Sequence, residues 1–253
     1  MTYLTAFAIV VAAAAAAAGA SWILSGWVAI ETRRRHHEIG GQVFLQLGVV
    51  FAVLLAFVFN EAWGEYNTAA QAIDGECGSL HGAAMIAAAL PDGQGRPMTA
   101  AIETYAAVVV HEEWPAMARR RRSGEAGADF QRMITVATKL PAAAPGQVAG
   151  QAQILSLLAQ AHDSRETRLF QMTQALPAAL WFVLIAIAVV LIAFVLMAGI
   201  ETPGLMIFAT AFTGCTAMIL VLLKLLDYPF EGSVALGPTD FIDLAAKVAP
   251  LAR

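Results

Sequence analysis

Long uncharged apolar stretches alternate with polar ones along this chain. Tyr3 to Ile30, Gly40 to Asn60, Ala175 to Ile200 and Thr202 to Leu223 each lack a charged residue. Each exceeds the ~18 residues that mark a membrane-helix candidate, and ~20 helical residues cross the hydrocarbon core. The pattern predicts four transmembrane helices. The first stretch has no basic start and is too long for a secretory signal, so it is read as a retained helix, even with small residues at Ala18 to Ala20 of the kind found at cleavage sites.

One sizeable polar region, roughly 61–173, separates spans two and three. Its punctuation is "PDGQGRP" at 91–97, "SGEAG" at 123–127 and "PAAAPG" at 141–146, which are Gly/Pro loops. The segments between them have helical spacing and no convincing strand alternation. Helices are predicted near 61–90, 98–121, 126–140 and 147–173. The first and last are expected to extend spans two and three out of the membrane, with Pro177 as a kink. After span four comes a tail with a turn, a short extended piece and a small amphipathic helix. Phe241, Leu244, Ala245 and Val248 share one face of that helix. The expected fold is an all-α integral membrane protein. Spans one and two occupy 1–62, a helical extramembrane domain 63–173, spans three and four 174–226, and the tail 227–253.

Composition agrees with a membrane setting. The chain is 59% apolar and 13% charged, against roughly 25% charged for soluble domains. A net charge of −4 is too small to imply a polyanionic partner, and no nucleic-acid partner is expected. The two cysteines, Cys77 and Cys215, suggest neither a disulfide nor a metal site. Asp74, Cys77 and His81 share a helix face but lack metal-motif spacing, and no cofactor is expected. "HEEWPAMARRRR", His111 to Arg122, does not match His-Glu-x-x-His, and no phosphate-binding glycine loop or nucleophile with a spaced base occurs. An enzyme is not expected.

Orientation turns on two basic clusters. Arg33, Arg34 and Arg35 lie in the short link between spans one and two, and short loops weigh most in the positive-inside rule. That predicts the domain and both termini on the outer face. Arg119 to Arg122 argue the other way, but are distant in sequence from either span.

Span two carries the most informative pattern. Gln42, Gln46, Val49, Val53, Ala56, Asn60 and Trp63 follow 4,3 spacing and fall on one stripe. Polar side chains within a span face a bundle interior or a water-filled path. The stripe therefore lines a pore with a small apolar constriction, or its amides hydrogen-bond to neighbouring spans. Glu61 would stand at the pore mouth, with Glu65 one turn on, where carboxylates attract cations, or the two simply mark a solvated helix end. Glu76, among apolar and small neighbours, suits a buried carboxylate tying helices together. Lys224 and Asp227 suit an i,i+3 pair closing span four. Pro115 is expected to bend the middle helix and Trp114 to pack against its neighbours, with Glu112 and Glu113 reaching Arg119 and Arg120 only across that bend or on another subunit.

Several stretches in one order resemble the bestrophin-like membrane proteins, a bacterial family defined as a domain of unknown function. They are "HHEIGGQVFLQLGVVFAVLLAFVFNEAWGEYNTA", "ECGSLHGAAMIAAALP", "EEWPAMARRR", "LPAALW" and "LLDYPFEGSV". They span almost everything after residue 35. Ile86 departs from the pattern, standing where many members carry an arginine, which leaves a salt bridge to Glu76 an open question. The resemblance implies four spans in a bacterial inner membrane. Its more distant kinship with bestrophins implies a homo-oligomer, a pentamer by analogy, that conducts anions with the second helix lining the pore. Glu76, Glu113, Trp114, Lys224, Asp227, Pro229 and Gly232 are the structural candidates. The alternative to a channel is a non-conducting accessory or scaffold subunit of a larger membrane complex. Membrane lipid is the expected surrounding partner in either case.

Overall fold

The computed structural model describes residues 1–252, and the side chains of 36–39, including the two histidines of the basic link, lie outside that description. Among the described residues the regular structure is helical. The chain divides into two compact units. The first comprises 1–64, 175–227 and 232–234; the second comprises 65–174, 228–231 and 235–253.

The first unit holds the apolar helices. Helix α1 runs Tyr3–Trp27 and opens on a capping box in which Thr2 accepts from the Thr5 amide. Helix α2 runs Ile30–Ala88 and supplies its first part to this unit. Helices α7 (Ala178–Leu196) and α8 (Thr202–Leu226) complete the unit, and Pro203 near the start of α8 costs no helical hydrogen bond. All four helices are long and apolar enough to span a membrane. Ala6, Ala17 and Ser21 of α1 are buried, and a Cβ on Gly214 of α8 would touch Ala14. Small residues let these backbones approach closely, as membrane helix pairs require. Leu4, Phe7, Phe182 and Ile207 stay exposed, as lipid-facing side chains would.

The second unit is a helical domain with its own core. The remainder of α2 is followed by α3 (Arg96–Val108), a π turn at Val109–Glu113, and the short α4 (Trp114–Met117). Then come α5 (Gly124–Thr138), α6 (Pro145–Gln171) and, from the tail, α9 (Thr239–Val248). Gly95 sits where the turn into α3 crosses α2 so closely that a Cβ would overlap the Ala87 carbonyl. Ile73, Leu80, Met98, Ile102, Met133, Ile154 and Leu158 fill the core, and Phe241, Leu244 and Val248 seal it with the buried face of α9.

Three expectations change. Span two does continue into the domain, but α6 does not run into span three: it ends at Gln171, and α7 starts at Ala178 with extended Pro177 as its cap. The residue before a proline avoids helical geometry, so Pro177 makes a break and not a kink. The helix expected over 98–121 breaks its α-turns at Val108 and resumes them for Trp114–Met117, so its distortion begins before Pro115. Pro115 lacks the N–H that would bond one turn back, and the Trp114 amide reaches the Val109 carbonyl instead.

Candidate functional site

Two groups of polar side chains stand out, one in each unit. In the first unit the span-two stripe is outward. Gln42, Gln46, Val49, Val53, Ala56, Asn60, Glu61 and Trp63 are all exposed, Val49 at 58% and Val53 at 52%. The inward face of the same helix carries Phe51, Val58 and Ala62, all buried, with Phe44 tilted against Phe212 of α8 at 5.7 Å. Among the described residues, Gln42, Gln46 and Asn60 make no side-chain hydrogen bond to another span, so the interhelical bonding expected of buried amides is not made within one chain.

At the far end of spans three and four, Asp227 is buried. It accepts from the Leu176 amide at 2.8 Å and pairs with Lys224 at 2.6 Å. The lysine ammonium also lies 5.5 Å from the Trp181 ring. Gly232 has a φ of +88°, and a Cβ there would press on the Met1 carbonyl at 2.8 Å. The Ser233 amide donates to that same carbonyl, which fixes the first residue against the 232–234 turn.

In the second unit, charged groups are buried together. Arg168 of α6 is fully buried and donates to both oxygens of Glu76, at 2.8 and 3.2 Å. It also donates to Glu113 at 2.8 Å. Arg165 pairs with the second Glu113 oxygen, and the Tyr105 hydroxyl donates to Glu76. Two carboxylates thus face two guanidiniums and one phenol across α2, α3, the π turn and α6. Burial opposes the charge on Arg168, but Glu76, the Tyr105 oxygen and Glu113 outweigh it and hold its pKa upward. Burial first, and Glu76 second, push the Tyr105 hydroxyl up as well, so it stays a donor. Trp114 and Phe241 flank the Arg168 guanidinium at 5.5 and 5.2 Å, and Trp114 donates its indole N–H to the Leu236 carbonyl at 3.1 Å. Phe230 meets Trp114 edge-on, and the Pro229 carbonyl accepts from Leu236.

The expected partners of Glu113 are therefore corrected. It meets Arg165 and Arg168, not Arg119 or Arg120, because the π turn rotates it inward while Glu112 stays exposed. Glu76 is not left unpaired by Ile86: its arginine comes from α6. Arg120 pairs with Glu231 and stacks 3.6 Å over Tyr228, two residues past the end of α8. Arg120, distant in sequence from any span, thus contacts the segment that follows α8 in the chain. Asp74 is exposed and Cys77 buried, and among the described residues no group of side chains could hold a metal ion. Arg165 and Arg168 are members of this cluster that the sequence reading misses. Their signal is positional: Ile154, Leu158, Ala161, Arg165, Arg168 and Met172 follow the 4,3 spacing of a buried stripe.

The model of the Bestrophin-like domain matches residues 11–241. The chain belongs to the bestrophin-like family. Solved structures agree with the fold this family name implies. A bacterial bestrophin homologue from Klebsiella pneumoniae, crystallised as a single-substitution variant, superposes with a TM-score of 0.76 at 11% identity over 96% of this chain and 98% of that one. A second structure of the Klebsiella pneumoniae homologue gives 0.72 at 12% identity over the same shares. A variant of a crystallised membrane protein gives 0.76 at 11% identity, again over 96% and 98%. No curated protein matches the chain. This bestrophin-like chain is thus an all-helical membrane protein with a bestrophin fold.

Proposed function

We propose that this bestrophin-like chain is a subunit of a homo-oligomeric ion channel whose path is lined by span two. The observation that carries the reading is the outward stripe. Among the described residues the amides at Gln42, Gln46 and Asn60 have no partner within the span bundle, and hydrocarbon is the costliest place to leave them. A symmetric ring that turns this face to a central axis gives them water, and a pentamer is the assembly that bestrophin kinship suggests. Val49, Val53 and Ala56 then form a constriction of small apolar side chains, able to gate by dewetting.

Kinship favours anions as the permeating species. Glu61, exposed at the end of the stripe, would oppose them at the mouth. Its replacement, Glu61→Gln, should raise anion permeability, read as a shift in reversal potential under a KCl gradient. On this reading the chain sits in the bacterial inner membrane with its domain outside, and Arg33 to Arg35 support that orientation. Arg120 stacked over Tyr228 is the observation against that placement. A membrane-impermeant maleimide should label Ser123→Cys in intact spheroplasts; protection there would put the domain inside.

The direct test of conduction is a planar-bilayer recording of Val53→Asn. Wetting the constriction should raise single-channel conductance. Unchanged currents, with the protein shown to be inserted, would remove the pore assignment. Purification in mild detergent separates this reading from an accessory subunit: a self-oligomer fits the channel, a stoichiometric foreign partner does not.

A further inference from the structure

A cavity of about 560 Å³ opens in the first unit where the α1–α2 link meets the end of α7. Its walls are apolar: Val28, Gly40, Phe44, Val190, Phe194 and Met197 line it. Among the described residues that line it, Arg33 is the charged one. Arg33 is only 4% exposed, donates one N–H to the Ala198 carbonyl at 3.2 Å, and leaves its buried Nε without a partner. No ion pair to Arg33 occurs among the described residues. Arg34 offers no counter-charge; its Nε donates to the Gly199 carbonyl.

A buried guanidinium without an anion is costly, and carbonyl oxygens offset only part of that cost. The volume suits a small-molecule site, for which roughly 300–1,000 Å³ is usual. A mostly apolar chamber with one buried cation among its described lining residues matches a molecule with one acidic group and a long apolar body. We propose that this cavity binds an anionic membrane lipid, with its phosphate on Arg33 and an acyl chain along Phe44, Val190 and Phe194. The inference does not depend on conduction.

Native mass spectrometry of the full chain in non-ionic detergent tests it, with phosphatidylglycerol, chain-matched phosphatidylcholine and inorganic phosphate as probes. Phosphatidylglycerol should be retained in preference to phosphatidylcholine, and inorganic phosphate should not compete. Arg33→Gln should weaken retention by at least about tenfold, as expected for losing a charge-assisted hydrogen bond. Arg33→Lys should restore part of it. Gly41→Leu provides a second variant that keeps the arginine: a Cβ there meets open space, so the leucine enters the cavity and should displace the lipid. Equal retention of both lipids would overturn the proposal. So would competition by inorganic phosphate, which would mark a simple anion site, or wild-type retention in both Arg33→Gln and Gly41→Leu.

Discussion

Span two and α6 carry the same kind of pattern and resolve it in opposite ways. Each has polar residues at positions repeating by fours and threes, where a helix packs its seam. On α6 the polar members are Arg165 and Arg168, and they turn inward to Glu76 and Glu113. On span two they are Gln42, Gln46 and Asn60, and they turn outward, away from the other spans of the same chain. The difference lies in the available partners. The domain offers two carboxylates and a phenol within hydrogen-bond reach, so the charges fold in. The hydroxyls the neighbouring spans bury, Ser21, Thr213 and Thr216, lie on α1 and α8 and not against these outward amides.

This contrast can be broken from its stronger side first. Removing one member of a buried charge cluster strands the others, a loss of about 3–5 kcal/mol. Arg168→Ala should therefore produce the largest drop in the thermal unfolding midpoint of the domain, as followed by circular dichroism in detergent. Arg168→Lys keeps the charge but not the two-pronged geometry on Glu76, and should fall between wild type and alanine. Next comes Asp227→Ala, which leaves the Leu176 amide buried without its acceptor. About 1–3 kcal/mol is the usual cost of such a group, and the loss should appear in the same melt.

Smaller effects sharpen the comparison. Arg122 pairs with Glu166 where both side chains are substantially exposed, and such surface pairs contribute about 0–1 kcal/mol. Arg122→Ala should barely move the midpoint. Gln46→Leu should move the unfolding midpoint of the full chain least, within about 0.5 kcal/mol as for surface positions, while altering current if span two lines a path. A large destabilisation by Gln46→Leu would mean that the amide is bonded within the chain after all.

Much of the fold is legible because membrane spans announce themselves by length and lack of charge. The four uncharged stretches coincide with the apolar helices, and the tail helix with Phe241, Leu244 and Val248 inward follows from its spacing. The charge cluster is only half legible. Glu76 among small apolar neighbours signals burial, but its partner lies on a helix 92 residues away in sequence, and composition gives no distance. Glu113 pairs on paper with the arginines nearest in sequence, because a local π turn that rotates one carboxylate inward leaves no periodicity to detect. The break at Pro177 looks like a kink because apolar and polar helices abut there without a glycine. For the stripe, position and spacing are written in the residues, but what covers an outward face is not a property of one chain's sequence.

Cysteine modification during conduction tests the stripe most directly. Cys215 is exposed on span four and is first replaced by serine, while Cys77 is buried. Val53→Cys and, as a control on span three, Val183→Cys are then each treated with a charged methanethiosulfonate reagent during bilayer recording. A path lined by span two predicts that the reagent arrests or sharply reduces current through Val53→Cys and leaves Val183→Cys unchanged. Full current through Val53→Cys after exposure, with modification confirmed by mass, would contradict that path.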